Sequence, residues 1–98
     1  MGRIGFAWDP RKASANLRKH GVTFAEAQTV FADDNALLLD DPGHFQLEDC
    51  SVMLGLSARM RILVVFHTLR DGGHTIRIIS ARKATKWEQG QYFEQVMP

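Results

Sequence analysis

The chain has 98 residues, of which 45% are hydrophobic and 23% are charged, and its formal net charge at pH 7 is +1. This length supports one domain with one modest core, so we treat residues 1–98 as a single domain. No stretch approaches the roughly 20 apolar residues of a membrane-spanning helix, and the N-terminus shows no apolar signal region, so we expect a cytoplasmic protein without membrane association. The single cysteine, Cys50, excludes an internal disulfide and a thiolate metal cluster.

The charges are segregated along the chain. Six acidic residues and no Lys or Arg lie between Asp33 and Asp49, whereas seven basic residues and one acid, Asp71, lie between Arg59 and Lys86. A basic patch of this kind attracts polyanions through phosphate contacts. A solvated or partner-facing basic surface is the alternative explanation, and the charge pattern alone is compatible with both.

The first half of the chain predicts one short strand and two helices. The dipeptide Asp9-Pro10 follows the strand and places an N-cap residue and a proline at the start of a helix. That helix should end at Gly21, a good C-terminal residue. The capping-box pattern Thr23-x-x-Glu26 begins the second helix, whose aromatic face we expect to be buried.

The second half predicts four strands and a last helix. Two β-branched runs flank a turn built on Gly72 and Gly73, which indicates a hairpin. Gly55 in the preceding strand indicates a bulge or a close backbone approach. A second capping box, Thr85-x-x-Glu88, begins the last helix. We expect the four strands at residues 36–40, 48–56, 61–70 and 75–83. The order βααββββα predicts an α+β fold, a mainly antiparallel sheet with helices packed on one face.

Arginines lie along and at the ends of the hairpin strands, and a buried sheet has no use for so many guanidinium groups. They are Arg61, Arg70, Arg77 and Arg82. Arg77 alternates with Ile76 and Ile78, so its side chain should lie on the sheet face opposite theirs. Guanidinium groups bind phosphate through a planar fork of donors. An ion pair between Arg77 and an acid of the segment 33–49 is the alternative.

The candidates for proton transfer are fewer. His67, near the end of the fourth strand, can act as a general acid or base near neutral pH, or it can be a core or edge histidine bonded to backbone. Glu88 has a structural explanation in the capping box, and Tyr92 can donate to a phosphate, stack on a base or simply pack. Trp8 and Trp87 are assigned to the core. No two histidines have the spacing of metal ligands, so we expect neither a metal nor another cofactor.

The remaining groups suffice for RNA cleavage without a metal. RNA carries its own nucleophile, the 2′-hydroxyl. The protein must therefore supply a proton acceptor, cations that stabilise the phosphorane-like transition state, and a proton donor for the leaving 5′-oxygen. Arginines together with one or two of His, Glu, Lys or Tyr meet that need.

Several motifs of this chain occur together in one known family. They are Phe6-Ala-Trp8-Asp9-Pro10, Lys19-His20-Gly21-Val22-Thr23-Phe24-x-Glu26-Ala27, His44-x-x-x-Glu48, and Ile76-Arg77-Ile-Ile-Ser-Ala-Arg82-x-Ala84-Thr85-x-x-Glu88-x-x-x-Tyr92. Together they resemble the BrnT toxins. The resemblance covers nearly the whole chain, and its most specific part is the segment 76–92.

The resemblance implies a toxin of a type II toxin–antitoxin system: a small ribonuclease with a RelE-like fold that works without metal and inhibits translation. Its partner would be a BrnA-like antitoxin with a ribbon–helix–helix region, through which the complex binds operator DNA. The expected catalytic residues are Arg70, Arg77, Arg82, His67 and Glu88, and the expected substrate-binding residues are Lys83, Lys86, Tyr92 and Arg61.

Cys50 marks a departure from the family pattern. Members often have a Glu-Glu-Arg-like run where this chain has Glu48-Asp49-Cys50, so a basic residue is missing from the third strand. If that residue belongs to the site, activity is weakened; if it forms only an ion pair at the sheet edge, nothing is lost. The hypotheses are therefore a metal-independent ribonuclease, a catalytically degenerate toxin acting as a non-enzymatic co-repressor of its antitoxin, and a stand-alone nucleic-acid-binding domain.

Overall fold

The computed structural model describes residues 4–39 and 50–97. Within these ranges the order of strands and α-helices is the predicted βααββββα. The elements are β1 (Gly5–Ala7), α1 (Pro10–His20), α2 (Phe24–Thr29), β2 (Leu37–Leu39), β3 (Cys50–Leu56), β4 (Ile62–Arg70), β5 (Thr75–Lys83) and α3 (Lys86–Val96), with short 3-10 turns at Val30–Ala32 and Asp71–Gly73. Residues 40–49, including the acids predicted there and the motif His44-x-x-x-Glu48, lie outside the described ranges. None of the described helices is long and apolar enough to cross a membrane.

The strands form one sheet in the order β1-β5-β4-β3-β2. Neighbouring strands are antiparallel from β2 to β5, as the hairpin pattern predicts, whereas β1 runs parallel to β5. The predicted α+β class is confirmed. The parallel edge pair exists because two helices connect β1 to the rest of the sheet, and only such a long connection can join parallel strands.

Local signals in the sequence set the ends of the helices. The side chain of Asp9 accepts a hydrogen bond from Arg11 N at 2.8 Å, and Gly21 ends α1 in the left-handed conformation with φ 70°. At α3 both halves of the predicted capping box are formed, between Thr85 and Glu88. Helix boundaries in this chain follow from contacts within a few residues.

One predicted local feature differs in the structure, and the structure decides between the two alternatives for another. In α2 the hydroxyl of Thr23 accepts from Glu26 N at 3.0 Å, but the Glu26 carboxylate binds elsewhere, so this capping box is half formed. Of the two readings of Gly55, the close approach is the one observed. A Cβ there would lie 2.8 Å from Cγ1 of Val30, and the pairing of β3 with β4 is unbroken around it.

The core consists of two clusters on opposite faces of the sheet. Successive side chains of β4 point to opposite faces of the sheet. Leu63 and Val65 therefore belong to the first cluster, and Val64 and Phe66 belong to the second. The first cluster contains Val22, Phe24, Ala27, Val30, Leu63, Val65, Ile76, Ile78 and Ala81. The second contains Val52, Leu54, Val64, Phe66, Ala84 and Tyr92. Helix α2 thus packs on the first face, together with α1 through its Ala13, while α3 places Tyr92 in the second cluster. The helices therefore cover both faces and not the single face that the sequence predicted, because both faces of β4 are apolar and need a cover.

A buried asparagine of α1 completes the edge of β5 beyond the end of β1. The side-chain Nδ2 of Asn16 donates to the carbonyl of Ala81 at 2.8 Å and to that of Val22 at 2.9 Å. Its Oδ1 accepts from Ala81 N at 3.1 Å and from the Ser80 hydroxyl at 3.2 Å. The amide therefore pairs with Ala81 as a neighbouring strand would.

Asn16→Ala should lower the free energy of unfolding by about 2–4 kcal/mol, because it leaves buried backbone groups of Ala81 and Val22 without their partner. Urea unfolding followed by circular dichroism measures the change. The control is Asn35→Ala at an exposed position, expected to change stability by less than about 0.5 kcal/mol. Equal effects of the two substitutions would contradict the assigned role.

Candidate functional site

A β-bulge in β5 determines which side chains share a face. The register of β4 and β5 shifts between Phe66 and His67. His67 pairs with Ile78 and Phe66 pairs with Ser80, so Ile79 is an extra residue on β5. The bulge reverses the alternation of side chains for the residues of β5 that follow it.

The bulge brings three of the predicted arginines to one face. Arg77 pairs with Thr68, and Arg82 pairs with Val64. Directly opposed residues of antiparallel strands point to the same side, and alternate residues of β4 do so as well. Arg70 lies in the same phase of β4. We call the surface defined by Arg70, Arg77 and Arg82 the arginine face. In a regular strand Arg77 and Arg82 would point to opposite sides.

Arg70 and Arg77 line a hollow of about 400 Å³ together with Ala7, Asp71 and Thr75. Arg70 is exposed and Arg77 is half-buried. The carboxylate of Asp71 accepts a hydrogen bond from the Thr75 hydroxyl at 2.9 Å, which holds this acid at the turn. The hollow therefore offers two guanidinium groups at its wall, a geometry suited to an anion.

The alternative prediction for Arg77 is an ion pair with an acid of the segment 33–49. The structure describes two of these acids, Asp33 and Asp34, and neither pairs with Arg77. The Oδ2 of Asp33 accepts from Tyr92 at 2.7 Å and from Leu56 N at 2.9 Å. Asp34 is exposed. The other acids of the segment lie outside the described residues. Arg77 forms no ion pair with a described carboxylate.

Arg82 is held by Glu88 in a two-pronged ion pair. Its Nη1 lies 2.8 Å from Oε1 and its Nη2 lies 2.9 Å from Oε2 of that carboxylate. The guanidinium also lies over the ring of Phe66, 5.9 Å from its centroid. The hydrogen bonds from Arg82 lower the pKa of Glu88 to about 2. Glu88 is therefore ionised at neutral pH and is a weak base.

His67 lies on the opposite face and is not brought together with the arginines. It is 3% exposed, and its ring meets that of Phe31 edge-on at 4.8 Å. Its Nδ1 lies 3.3 Å from the carbonyl of Val65, and burial lowers its pKa. This arrangement corresponds to the alternative considered from the sequence, a core histidine bonded to backbone.

Two of the predicted substrate-binding residues are engaged in structural contacts. The hydroxyl of Tyr92 donates to Asp33, and burial together with that contact raises the pKa of Tyr92 to about 12. Arg61 binds the buried carboxylate of Glu26 through Nε at 2.9 Å and through Nη2, and Ser57 donates to the same carboxylate at 2.7 Å. Arg61 points to the face of the first cluster.

The predicted lysines are exposed but do not join the hollow. Lys83 pairs with Leu63 and so points away from the arginine face, and Lys86 is the first residue of α3. Trp87 is 71% exposed, which corrects its assignment to the core. Trp87 is five positions before the buried Tyr92, which places it about 140° around the helix from the packed side.

Sequence reasoning missed two members of the arginine face, Phe66 and Thr68. Both are buried, at 8% and 6% exposure. The alternation of residues along β4 places them on the same side as Arg70, so the sequence could have indicated them. The apolar run around them suggested core residues instead. Among the described residues, no group of three or more His, Cys, Asp and Glu side chains could hold a metal ion.

Known proteins resemble this chain in sequence and in fold. The family model described as the ribonuclease toxin, BrnT, of a type II toxin–antitoxin system matches residues 8–88. The crystal structure of the Brucella abortus ribonuclease toxin BrnT is similar, with a TM-score of 0.65 and 22% sequence identity, over 85% of this chain and 99% of that one. At that identity the likeness shows the fold. No curated protein matches the sequence.

Glu88→Gln should flatten the acid dependence of stability. Because the pKa of Glu88 falls from 4.5 to about 2 on folding, its stabilisation is present above pH 4.5 and is lost as the pH falls toward 2. Over this range we expect the wild type to lose about 1–2 kcal/mol more unfolding free energy than the variant, after allowance for solvent screening. Urea unfolding between pH 2 and 6 measures this, with the exposed Glu94→Gln as control. Parallel curves for wild type and Glu88→Gln would refute the assignment.

Proposed function

The chain belongs to the BrnT family of ribonuclease toxins of type II toxin–antitoxin systems, and from this premise we propose that it is a metal-independent RNA endonuclease that inhibits translation. The observation that supports this most is the arginine face, where a bulge brings Arg70, Arg77 and Arg82 to one side of the sheet. A BrnA-like antitoxin with a ribbon–helix–helix region would neutralise it and connect the complex to operator DNA. Inhibition of translation places the activity in the cytoplasm.

The proposed reaction uses the nucleophile that RNA supplies. The 2′-oxygen loses its proton and forms a bond to the adjacent phosphorus, while the bond from phosphorus to the 5′-oxygen breaks and that oxygen takes up a proton. Negative charge accumulates on the phosphate oxygens in the transition state. Arg77 and Arg70, at the wall of the hollow, would stabilise that charge. The partner of Arg82 in β4 lies four residues before that of Arg77, about 13 Å away, so Arg82 would contact another phosphate of the RNA strand.

The groups that could transfer protons are placed less favourably than the arginines. His67 lies on the other face, and the hydroxyl of Tyr92 is bound to Asp33. Glu88 is bound to the arginine face and can accept a proton, but its low pKa makes it a weak base. The proposed catalysis therefore rests mainly on positioning and on electrostatic stabilisation by the arginines.

The same observations favour a second candidate, a degenerate toxin that acts as a non-enzymatic co-repressor of its antitoxin. None of the three predicted proton-transfer groups is both near the hollow and close to neutral in pKa. Cys50 is the first residue of β3, at a position where family members often have a basic residue. This candidate predicts tight antitoxin binding with no RNA cleavage.

Arg77→Ala should reduce cleavage of a mixed RNA by about 100-fold or more, since removing one transition-state donor has an effect of that size. The assay contains EDTA, and folded protein is matched by circular dichroism. The control is Arg18→Ala, an exposed arginine on α1, which should cleave as the wild type does. Full activity of Arg77→Ala would exclude the arginine face as the site.

The wild type in the same assay separates the two candidates. Cleavage in EDTA supports the ribonuclease. Cleavage only after divalent cations are added would overturn its metal independence. A folded wild type that cleaves under neither condition, yet binds its antitoxin, would favour the co-repressor.

His67→Gln should retain cleavage within about threefold of the wild type, per folded molecule, because the side chain lies on the other face of the sheet. Removal of a general base would instead reduce the rate by about 100-fold to 10,000-fold. The measurement is RNA cleavage at pH 7, normalised to the folded fraction. A loss of that larger size in folded protein would return His67 to the site.

A further inference from the structure

The hydroxyl of Thr68 is a buried polar group that stands out among the described residues. The residue is 6% exposed, and among the described residues no group forms a hydrogen bond with its Oγ1. Nearly all buried polar groups in folded proteins are paired, and each one left unpaired destabilises the fold. The fold thus retains a destabilising hydroxyl where a valine would fill the same volume.

The position of Thr68 connects this hydroxyl with the arginine face. Thr68 is directly opposed to Arg77 in the pairing of β4 and β5, and to Cys50 in the pairing of β3 and β4. Opposed side chains in an antiparallel pair have Cβ atoms about 4.5–5.5 Å apart. The side chain of Thr68 therefore lies next to that of Arg77, one of the two arginines that line the hollow.

The acid of the hollow is already occupied by a different threonine. Thr75 pairs with Arg70, and its hydroxyl donates to Asp71 at 2.9 Å. The two threonines on this face therefore differ in their hydrogen bonds. The hydroxyl of Thr75 donates to Asp71, whereas that of Thr68 has no partner among the described residues. An anion bound between Arg70 and Arg77 would lie next to Thr68, which is buried just behind the lining of the hollow and whose hydroxyl has no acceptor among the described residues.

We propose that Thr68 is a binding residue of this site and that its hydroxyl donates to a phosphate oxygen held by Arg70 and Arg77. The inference rests on the proposed function, because it takes the RNA backbone as the source of that phosphate. Binding would give the hydroxyl its missing acceptor, so the cost present in the empty site would be removed in the complex. Threonine serves here because its rotatable O–H sits on a short, rigid side chain.

The test is Thr68→Val, which keeps the shape and removes the hydroxyl. We expect its Tm to equal or exceed that of the wild type, since an unpaired buried group is lost. RNA cleavage should nevertheless fall about tenfold, the effect of one hydrogen bond to a charged group. Thr68→Ser keeps the hydroxyl and should restore most of the activity. A purely structural threonine would not produce higher stability together with lower activity.

A matched control is Thr29→Val. The Thr29 hydroxyl donates to the carbonyl of Glu26 at 2.6 Å and accepts from Ala58 N at 2.8 Å, so it is fully paired. Its removal should lower the Tm and leave cleavage per folded molecule unchanged. The contrast between the two substitutions separates a paired structural hydroxyl from an unpaired binding one.

Inorganic phosphate gives a readout that does not depend on catalysis. Phosphate should raise the Tm of the wild type above that in sodium chloride of equal ionic strength, and the increase should be smaller in Thr68→Val and in Thr68→Ala. If the wild type cleaves no RNA but shows this pattern, the proposed function fails and the phosphate site stands. Equal increases in wild type and variants, or none in the wild type, would overturn the site. Cleavage of RNA by Thr68→Val at the rate of the wild type would also overturn the proposed role of Thr68.

Discussion

The one-residue bulge at Ile79 is the constraint on which the arginine face depends. Because of it, Ala81 points into the first cluster and Arg82 shares a side with Arg77. Without the extra residue, Arg82 would point into the packed face beneath α1 and α2, where an unpaired charge is very costly. Asn16 binds the backbone of Ala81 just after the bulge and so supports the strand where its regular pairing changes.

The charged groups divide into those with structural partners and those that face the hollow. Glu26 holds Arg61 near the end of the sheet, and Glu88 holds Arg82 at the start of α3. Both carboxylates have lowered pKa values because a guanidinium donates to them. In contrast, Arg77 forms no ion pair with a described carboxylate. The positive charge most suited to a ligand is therefore at the hollow.

This division explains why the site is better suited to binding a phosphate than to transferring protons. Cations are well placed for a phosphate, whereas the groups that could transfer protons are buried, bound or too acidic. An RNA substrate tolerates this imbalance better than most, because it brings its own nucleophile and its reaction develops charge on phosphate oxygens. The unpaired hydroxyl of Thr68 belongs to the same pattern, a polar group whose partner is absent from the described fold. Both features are consistent with a surface built for an anion.

The sequence by itself determined the order of elements, the helix ends at Gly21 and Thr85, and the family, because these depend on local contacts and on motifs that can be read along the chain. Only the tertiary structure decided which side chains meet. A single extra residue in β5 moved Arg82 to the face of Arg77, and strand pairing placed Thr68 beside Arg77 and His67 on the other side. Such outcomes depend on partners far along the chain, and a register changed by one residue reverses every side chain that follows.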